Sequence, residues 1–472
     1  LRNRDVEVFI RGERVKDVTT HPAFRNGVDT LASLYDMQHE AAEQDDMTYI
    51  SPTTGERVGA SFIKPETVGD LEKRRKMMSV WARRTNGMMG RTPDYMNVSF
   101  MAMAAAQKYF EQSRSEFGTN IRRYYEYVRE RDLVLTHTLL NFQRSRLSQA
   151  TPLEDSTDTA LTVIEERTDG VVVHGARILA TLGPLADEIA VYPTRSHSLP
   201  GSAPDDTVFA FSIPCETRGL KFLCRESFDL GNSHFDHPLG SRFEEMDAVV
   251  IFDHVLVPWE RVFLLGDVEL ANNLQIATNR HLHTGHQVVT KNVAKCEFLL
   301  GLVSLMTDAL GSSKLPHINQ MVAEVIENLE ITKACLRAAE VDAQLDQWGV
   351  MSPAHFPLRV AQNQFIRMYP RMIEILQLVG SSSMMALPTE ADMSGPLSSE
   401  IRRYLETDSV SAQDRVRIFR LAWDTACSAF GSRQVLYERF FQADFVRNSA
   451  ILCELYDQEP VMERVKEFLQ KN

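Results

Sequence analysis

The chain has 472 residues, 44% hydrophobic and 24% charged, with a formal net charge of -13. That length serves roughly two or three structural regions around a large core, and the acidic balance argues against a general binder of nucleic acid or anionic membrane. No basic run can follow a phosphate backbone, no apolar run can span a bilayer, and Leu1-Arg2-Asn3-Arg4 opens no signal-peptide core. A soluble, cytoplasmic protein is expected. The six scattered cysteines (215, 224, 296, 335, 427, 453) contain no Cys-x-x-Cys pair. They predict reduced, buried thiols rather than a disulfide framework or a zinc site.

Val6–Ile10 followed by Arg11–Val15 reads as a hairpin, and helical patterns follow over 23–43 and 68–84. Between that second helix and the next lies Met88-Met89-Gly90-Arg91-Thr92-Pro93-Asp94-Tyr95-Met96-Asn97. Gly90 and Pro93 break the pattern, Thr92 is a candidate N-cap, and Pro93 suits the first helical position. Arg91 then sits just before a helix start with Tyr95 about one turn in. A guanidinium and a phenol so placed can address one small oxygen-bearing group, or the Arg can pair with an acid while the Tyr fills the core. Further helices are predicted over 97–115 and 119–135.

From about residue 133 the character changes. Residues 159–166 and 171–177, joined by Thr-Asp-Gly, predict a hairpin, and strands follow over 188–193, 207–213, 219–225 and 248–257. Short runs punctuated by Gly, Pro, Asn and Asp predict a small barrel or sandwich, with 195–206 as a loop. After Pro258-Trp259, helical segments are predicted over 268–310, 317–347, 356–381, 410–430 and 433–468, with Leu299, Val303, Leu305 and Met306 on one buried face. The fold class expected is α+β, in three regions: 1–135 mostly helical, 136–262 a central β-barrel, and 263–472 a helical bundle that also serves oligomerisation.

No Gly-x-Gly-x-x-Gly follows a strand, and neither a phosphate loop nor a Gly-x-Ser-x-Gly elbow is present. The cluster His281-Leu282-His283-Thr284-Gly285-His286 has no carboxylate in its helical register and is interrupted by Gly285. It is read as a helix start or polar interface cluster, with no metal site expected. Thr136-His137-Thr138 is placed at a helix end, where an imidazole can accept a proton near neutral pH or bond the helix C-terminus. The polar run to Arg146 offers donors for a phosphate or a heterocycle edge, or is a solvated loop.

The motifs Gly90–Tyr95, Thr136-His137, Gly175-Ala176-Arg177, Pro184–Glu188, Phe235–Arg242, Val255–Phe263 and Tyr437-Glu438-Arg439-Phe440 occur in that order. With them the chain closely resembles the large, oxygenase component of the 4-hydroxyphenylacetate 3-monooxygenase family, over essentially its whole length. The resemblance implies an acyl-CoA-dehydrogenase-like fold, a homotetramer, and FAD bound between the β region and the C-terminal bundle. It implies that Arg91, Tyr95 and His137 hold the phenol oxygen, and that His137, Thr138, Leu139, Gln143, Arg144, Ser145, Arg146, Thr181, Ala443, Asp444, Phe445 and Val446 contact flavin. Thr194 and Arg195 match a substrate-covering loop, and Arg195 suggests a substrate with a distal anion.

The chemistry so implied is that of a two-component flavoprotein monooxygenase in aromatic catabolism. A separate NAD(P)H-flavin reductase supplies reduced FAD (FADH2), which reacts with molecular oxygen to give a C4a-hydroperoxyflavin. Oxygen is then transferred to the carbon ortho to a phenol hydroxyl, with a catechol as product. In this scheme His137 is the base, Arg91 the fixed charge that stabilises a phenolate, and Tyr95 the orienting hydrogen bond. Alternatives are a chloro- or nitrophenol monooxygenase that expels the substituent, a flavin-dependent acyl-CoA dehydrogenase or dehydratase, and a scaffold without flavin chemistry. A dehydratase would need cysteine ligands for an iron–sulfur cluster, and 88–106 contains none.

Overall fold

The computed structural model describes residues 1–142, 160–193, 205–229, 231, 233–442 and 445–470. The hairpin β1 (Glu7–Ile10) and β2 (Glu13–Val15) leads into α1 (Arg25–Asp36), α2 (Gln44–Met47) and the hairpin β3 (Thr48–Ile50)–β4 (Arg57–Gly59). Helices α3 (Val68–Arg84), α4 (Asp94–Ala105), α5 (Gln107–Phe110) and α6 (Ser115–Arg131) follow. The strands β5 (Leu135–Thr138), β6 (Thr162–Glu166), β7 (Gly170–Thr181), β8 (Glu188–Val191), β9 (Phe209–Pro214), β10 (Leu220–Cys224), β11 (Asp247–Pro258) and β12 (Val262–Leu265) occupy the middle. The last part holds α7 (Val268–Ala277), α8 (Arg280–Ala309), α9 (Pro316–Val341), α10 (His355–Gly380) and α11 (Glu390–Met393). It ends with α12 (Ser398–Leu405), α13 (Ala412–Ala426), α14 (Ala429–Phe440), α15 (Phe445–Leu455) and α16 (Glu459–Gln470).

The helix–sheet–helix order expected from the sequence is therefore present, but the strands do not close into a barrel. They form a six-stranded sheet, β2-β1-β10-β11-β7-β6, and a four-stranded one, β12-β9-β8-β5. Closure fails because β2 and β6 remain as edges, and the N-terminal hairpin enters the larger sheet through parallel β1–β10 pairing. The predicted hairpin across Thr-Asp-Gly is β6–β7, antiparallel.

Local chemistry explains the helix boundaries. A reciprocal pair, Thr67 with Asp70, caps α3, and the Trp81 indole N–H donates to the Leu34 carbonyl (2.8 Å), fastening α3 to α1. Every residue of α4 from Asp94 to Ala104 is buried, and the helix packs against both α6 and α8. Its second half, Phe-Met-Ala-Met-Ala-Ala (100–105), has no polar face and belongs inside, while the buried polar residues before it find partners: Asn97 donates to Ser61, and Ser99 bonds the Tyr192 hydroxyl. Thr92 does not cap it: the helix begins at Asp94, no side-chain cap bond forms, and the Thr92 hydroxyl faces Gln287. The helix predicted to reach 135 stops at Arg131, because Asp132 turns left-handed (φ 50°) and Leu133 N–H bonds back to Val128.

The bundle has its own apolar core, to which Leu299, Val303 and Met306 contribute. Leu305 is 51% exposed, against expectation, because it lies off the 299–303–306 face of α8. The thiols also depart from the reading: all are free, but Cys335 and Cys427 are half-buried and Cys453 is exposed. Among the described residues no helix is long and apolar enough to cross a membrane.

Candidate active site

The start of α4, the strand β5 and the end of α14 meet where the helical parts adjoin the smaller sheet. His137 lies within β5, not at a helix end: β5 pairs parallel with β8, with His137 opposite Ala190. This seats the imidazole between the rings of Tyr95 (centroids 5.8 Å apart, 24° between planes) and Tyr192 (5.6 Å, 59°). The Arg91 guanidinium carbon stands 4.3 Å from the Tyr95 ring centroid and 4.2 Å from that of Phe441, the residue after α14. Arg91, Tyr95 and His137 are thus brought together.

Arg91 is held by its backbone. Its N–H donates to Glu245 Oε1 (2.6 Å), while Arg433 Nη1 donates to Glu245 Oε2 (2.9 Å). Gly90 is required by a close approach: a Cβ there would fall against the Tyr437 ring, within 2.5 Å of its hydroxyl oxygen. Tyr437 in turn stacks on Phe441 (4.8 Å, 11°). The sandwich leaves Arg91 Nη1 buried with no hydrogen-bond partner among the described residues. A buried guanidinium nitrogen facing aromatic rings is costly unless a ligand completes it.

The electrostatics favour an anion. Burial alone would push the Tyr95 phenol up, but Arg91 and Arg280 outweigh it, and the phenol ends below its ordinary value. Burial, then Arg91 and Arg280, hold the His137 imidazole well below its usual range, so it is neutral at physiological pH. The neutral imidazole offers a lone pair to a phenolic O–H, and the fixed positive charge favours a phenolate.

Sequence reasoning missed Arg280, Tyr192, Ser99 and Phe441, and gave Tyr437, quoted only within a family motif, no part in the site. Arg280 opens α8, and its Nε donates to Ser99 Oγ (2.6 Å), which bonds the Tyr192 hydroxyl (2.9 Å). The neighbouring histidines do not converge on one point. His281 bonds the Gln275 carbonyl, His283 faces Arg74 and Ser352, and His286 bonds Glu340.

Of the residues matched to flavin contacts, Thr138 and Leu139 continue from His137. Thr181 is tied to the same strand by the Thr136 hydroxyl, which donates to its carbonyl (2.6 Å). The Thr181 hydroxyl donates to Asp247 (2.7 Å), so towards a ligand it offers a lone pair. Beyond Thr138 the chain exposes Leu139, Leu140 and Phe142, and the facing end of β7 exposes Ile178 and Leu179. The bridge between Leu140 and Ile178 makes these one apolar ledge. A flat heterocycle such as a flavin fits a ledge of this kind, with His137 and Thr138 as polar neighbours. Phe445 and Val446, at the start of α15, are exposed and share no hydrogen bond or ring contact with the Arg91–Tyr95–His137 set among the described residues. Gln143, Arg144, Ser145, Arg146, Thr194, Arg195, Ala443 and Asp444 lie outside the described residues.

Models for the N-terminal and C-terminal parts of 4-hydroxyphenylacetate 3-hydroxylase match residues 1–264 and 271–470. A 4-hydroxyphenylacetate 3-monooxygenase oxygenase component from Geobacillus sp. (strain PA-9) is 45% identical, covering 100% of this chain and 94% of its own. The corresponding protein of Thermus thermophilus is 43% identical, covering 100% and 96%. Among solved structures, an oxygenase component of 4-hydroxyphenylacetate 3-monooxygenase complexed with FAD and 4-hydroxyphenylacetate superposes with a TM-score of 0.94 at 43% identity, covering 100% of this chain and 97% of that one. With these matches spanning it from end to end, the chain belongs to the 4-hydroxyphenylacetate 3-hydroxylase family.

Proposed function

We propose that this protein is the oxygenase component of a two-component monooxygenase that hydroxylates 4-hydroxyphenylacetate, or a closely related phenol, beside its hydroxyl group. The observation that carries this reading is the Arg91 guanidinium held between the rings of Tyr95 and Phe441, with Nη1 unpartnered among the described residues and a neutral His137 stacked on Tyr95. A planar phenol is the kind of ligand these rings favour, and its oxygen is the acceptor that Nη1 lacks.

Reduced FAD, when bound, supplies the activation of molecular oxygen. Thr138, Leu139 and Thr181 would hold it against the apolar ledge, together with Gln143–Arg146 and the 443–446 segment. The chain's own residues prepare the substrate. His137 accepts the phenol proton, Arg91 holds the resulting oxyanion, and Tyr95 donates to it and orients the ring. Ionisation raises electron density at the carbon ortho to the oxygen, the position that is hydroxylated. Thr194 and Arg195 would cover the far end of the substrate, with Arg195 pairing its carboxylate. A separate NAD(P)H-dependent reductase provides the reduced flavin. The working enzyme is a homotetramer in the cytoplasm, a setting that six free thiols support.

The test is to supply reduced FAD from a flavin reductase with NADH and labelled molecular oxygen, and to look for 3,4-dihydroxyphenylacetate carrying one labelled oxygen atom. Formation of hydrogen peroxide alone, at a rate indifferent to every phenol offered, would overturn the reading.

A further inference from the structure

Arg280 is the first residue of a 30-residue helix and follows Asn279, which is left-handed (φ 53°). A cation at a helix N-terminus works against the macrodipole. Burying it without a carboxylate adds a desolvation cost. Yet Arg280 is only 3% exposed, and the groups that favour its charge are the hydroxyls of Tyr192 and Tyr95 rather than an acid. Its guanidinium carbon lies 4.3 Å from the Tyr192 ring centroid, and its Nε is anchored on Ser99 Oγ. Ser99 stands one turn beyond Tyr95 on α4, and Ser99 and Tyr192 already bond each other, so packing here does not require a charge. The groups that the Arg280 charge acts on are Tyr95 on α4, His137 on β5, Tyr192 after β8 and His281 on α8, and among the described residues no carboxylate forms an ion pair with it.

We propose that Arg280 is the second cation of the phenol-oxygen pocket, positioned by Ser99 and Tyr192 so that it shares with Arg91 the charge of a bound phenolate. The assignment rests on the phenol-hydroxylase reading above and extends it: one cation precedes α4 and the other opens α8, so the ionised substrate is held between the N-terminal helices and the C-terminal bundle. Arg280 acts as a positioning residue through Tyr95 and through its field.

The probe is 4-nitrophenol, whose anion absorbs in the visible, titrated with pH in the presence of saturating full-length protein. The wild-type protein is expected to bind the anion and to lower the ionisation midpoint of the probe. Arg280→Gln is expected to raise the midpoint of the bound probe by about one pH unit or more, roughly tenfold in the ionisation constant, because an opposite charge at close range is worth about that much. Arg280→Lys, which keeps the charge, should restore most of the shift, as a purely structural role would not. Ser99→Ala, which removes the anchor and its bond to Tyr192 but leaves the charge in place, should move the midpoint in the same direction as Arg280→Gln and decides the matter should the latter not fold. An unmoved midpoint in these variants, with a raised one in Arg91→Gln, would overturn the role of Arg280 and leave the phenol site standing. Failure of the wild-type protein to bind the probe or shift its ionisation would overturn both.

Discussion

Substituting Gly90 by alanine tests whether the ring stack beneath Arg91 sets the affinity for the phenol. The added Cβ would lie within 2.5 Å of the Tyr437 hydroxyl oxygen and against the ring carbons beside it. Ordinary carbon contacts need about 3.5–4.0 Å, so the ring must retreat by roughly 1 Å or more. Tyr437 cannot retreat alone, because it stacks on Phe441 at 4.8 Å, and Phe441 supports Arg91 at 4.2 Å. Overpacking of this kind costs about 1–3 kcal/mol, and a 1 Å misplacement of a binding group can cost about a hundredfold in rate. We therefore expect Gly90→Ala to bind 4-hydroxyphenylacetate at least about tenfold more weakly, with the thermal midpoint lowered. Affinity would be measured by calorimetry and hydroxylation by product formation with supplied reduced flavin. Tyr437→Ala should relieve the clash, so the double variant should lose less than the sum of the two single variants. Wild-type affinity in Gly90→Ala, or strict additivity of the pair, would refute the mechanical link from Gly90 to Arg91.

Further predictions concern buried charge and the site itself. Glu438 accepts from both Lys291 (2.5 Å) and Lys295 (2.7 Å) in the interior, so Glu438→Gln leaves buried ammonium groups uncompensated and should cost about 3–5 kcal/mol in urea unfolding. Burial would raise its carboxyl, but the two lysines outweigh burial and hold it at about 2, below the ordinary 4.5. The stability from this group is therefore present above 4.5 and lost as pH falls towards 2, and the Gln variant should lack that acid-side loss in its thermal midpoint. Asp94 goes the other way: burial raises its carboxyl from 3.8 to about 6, against the bonds from Thr92 and Gln287. Its protonated form favours the fold, so stability should fall as pH rises from 3.8 through 6, by about 3 kcal/mol at most, and Asp94→Asn should flatten the profile. His137 should titrate well below the ordinary imidazole range, read from ring chemical shifts, and His137→Ala should lower turnover by at least about a hundredfold; an imidazole titrating in its ordinary range, or turnover unchanged, would count against its assigned role.

The sequence carried the helix–strand–helix order because hydrophobic periodicity changes character near residues 133 and 259, and the observed elements follow those changes. Arg91 and Tyr95 could be paired on paper because residues four apart around a helix start face the same side. His137 joined them only through the family resemblance, since its place depends on the parallel β5–β8 pairing, a long-range choice. Arg280 has no local signal of its partners, because its anchor, Ser99, is 181 residues away in the chain. One local signal was available: an arginine at a helix N-terminus directly after Asn279, where the dipole disfavours it. Phe441 and Tyr437 sat in a run that reads simply as helix, and nothing in periodicity says that the end of α14 reaches back to Gly90.

The arrangement of acids around the site explains how the pocket keeps positive charge free for a ligand. Acids are close at hand, but they are engaged elsewhere. Glu245 accepts from the Arg91 backbone N–H and from Arg433, leaving the Arg91 guanidinium to the rings. Asp247 takes the Arg433 fork, Arg225 and the Thr181 hydroxyl. Glu438 is held by Lys291 and Lys295. Arg433 and Glu438 both belong to α14, so these buried pairs fasten the helix that ends at Phe441, the ring on which Arg91 rests. Charge pairing thus fixes the position of Arg91, and among the described residues no carboxylate forms an ion pair with its guanidinium. A direct Arg91–carboxylate pair would satisfy the buried Nη1 and, on the proposed reading, would remove the reason for a phenol to ionise there.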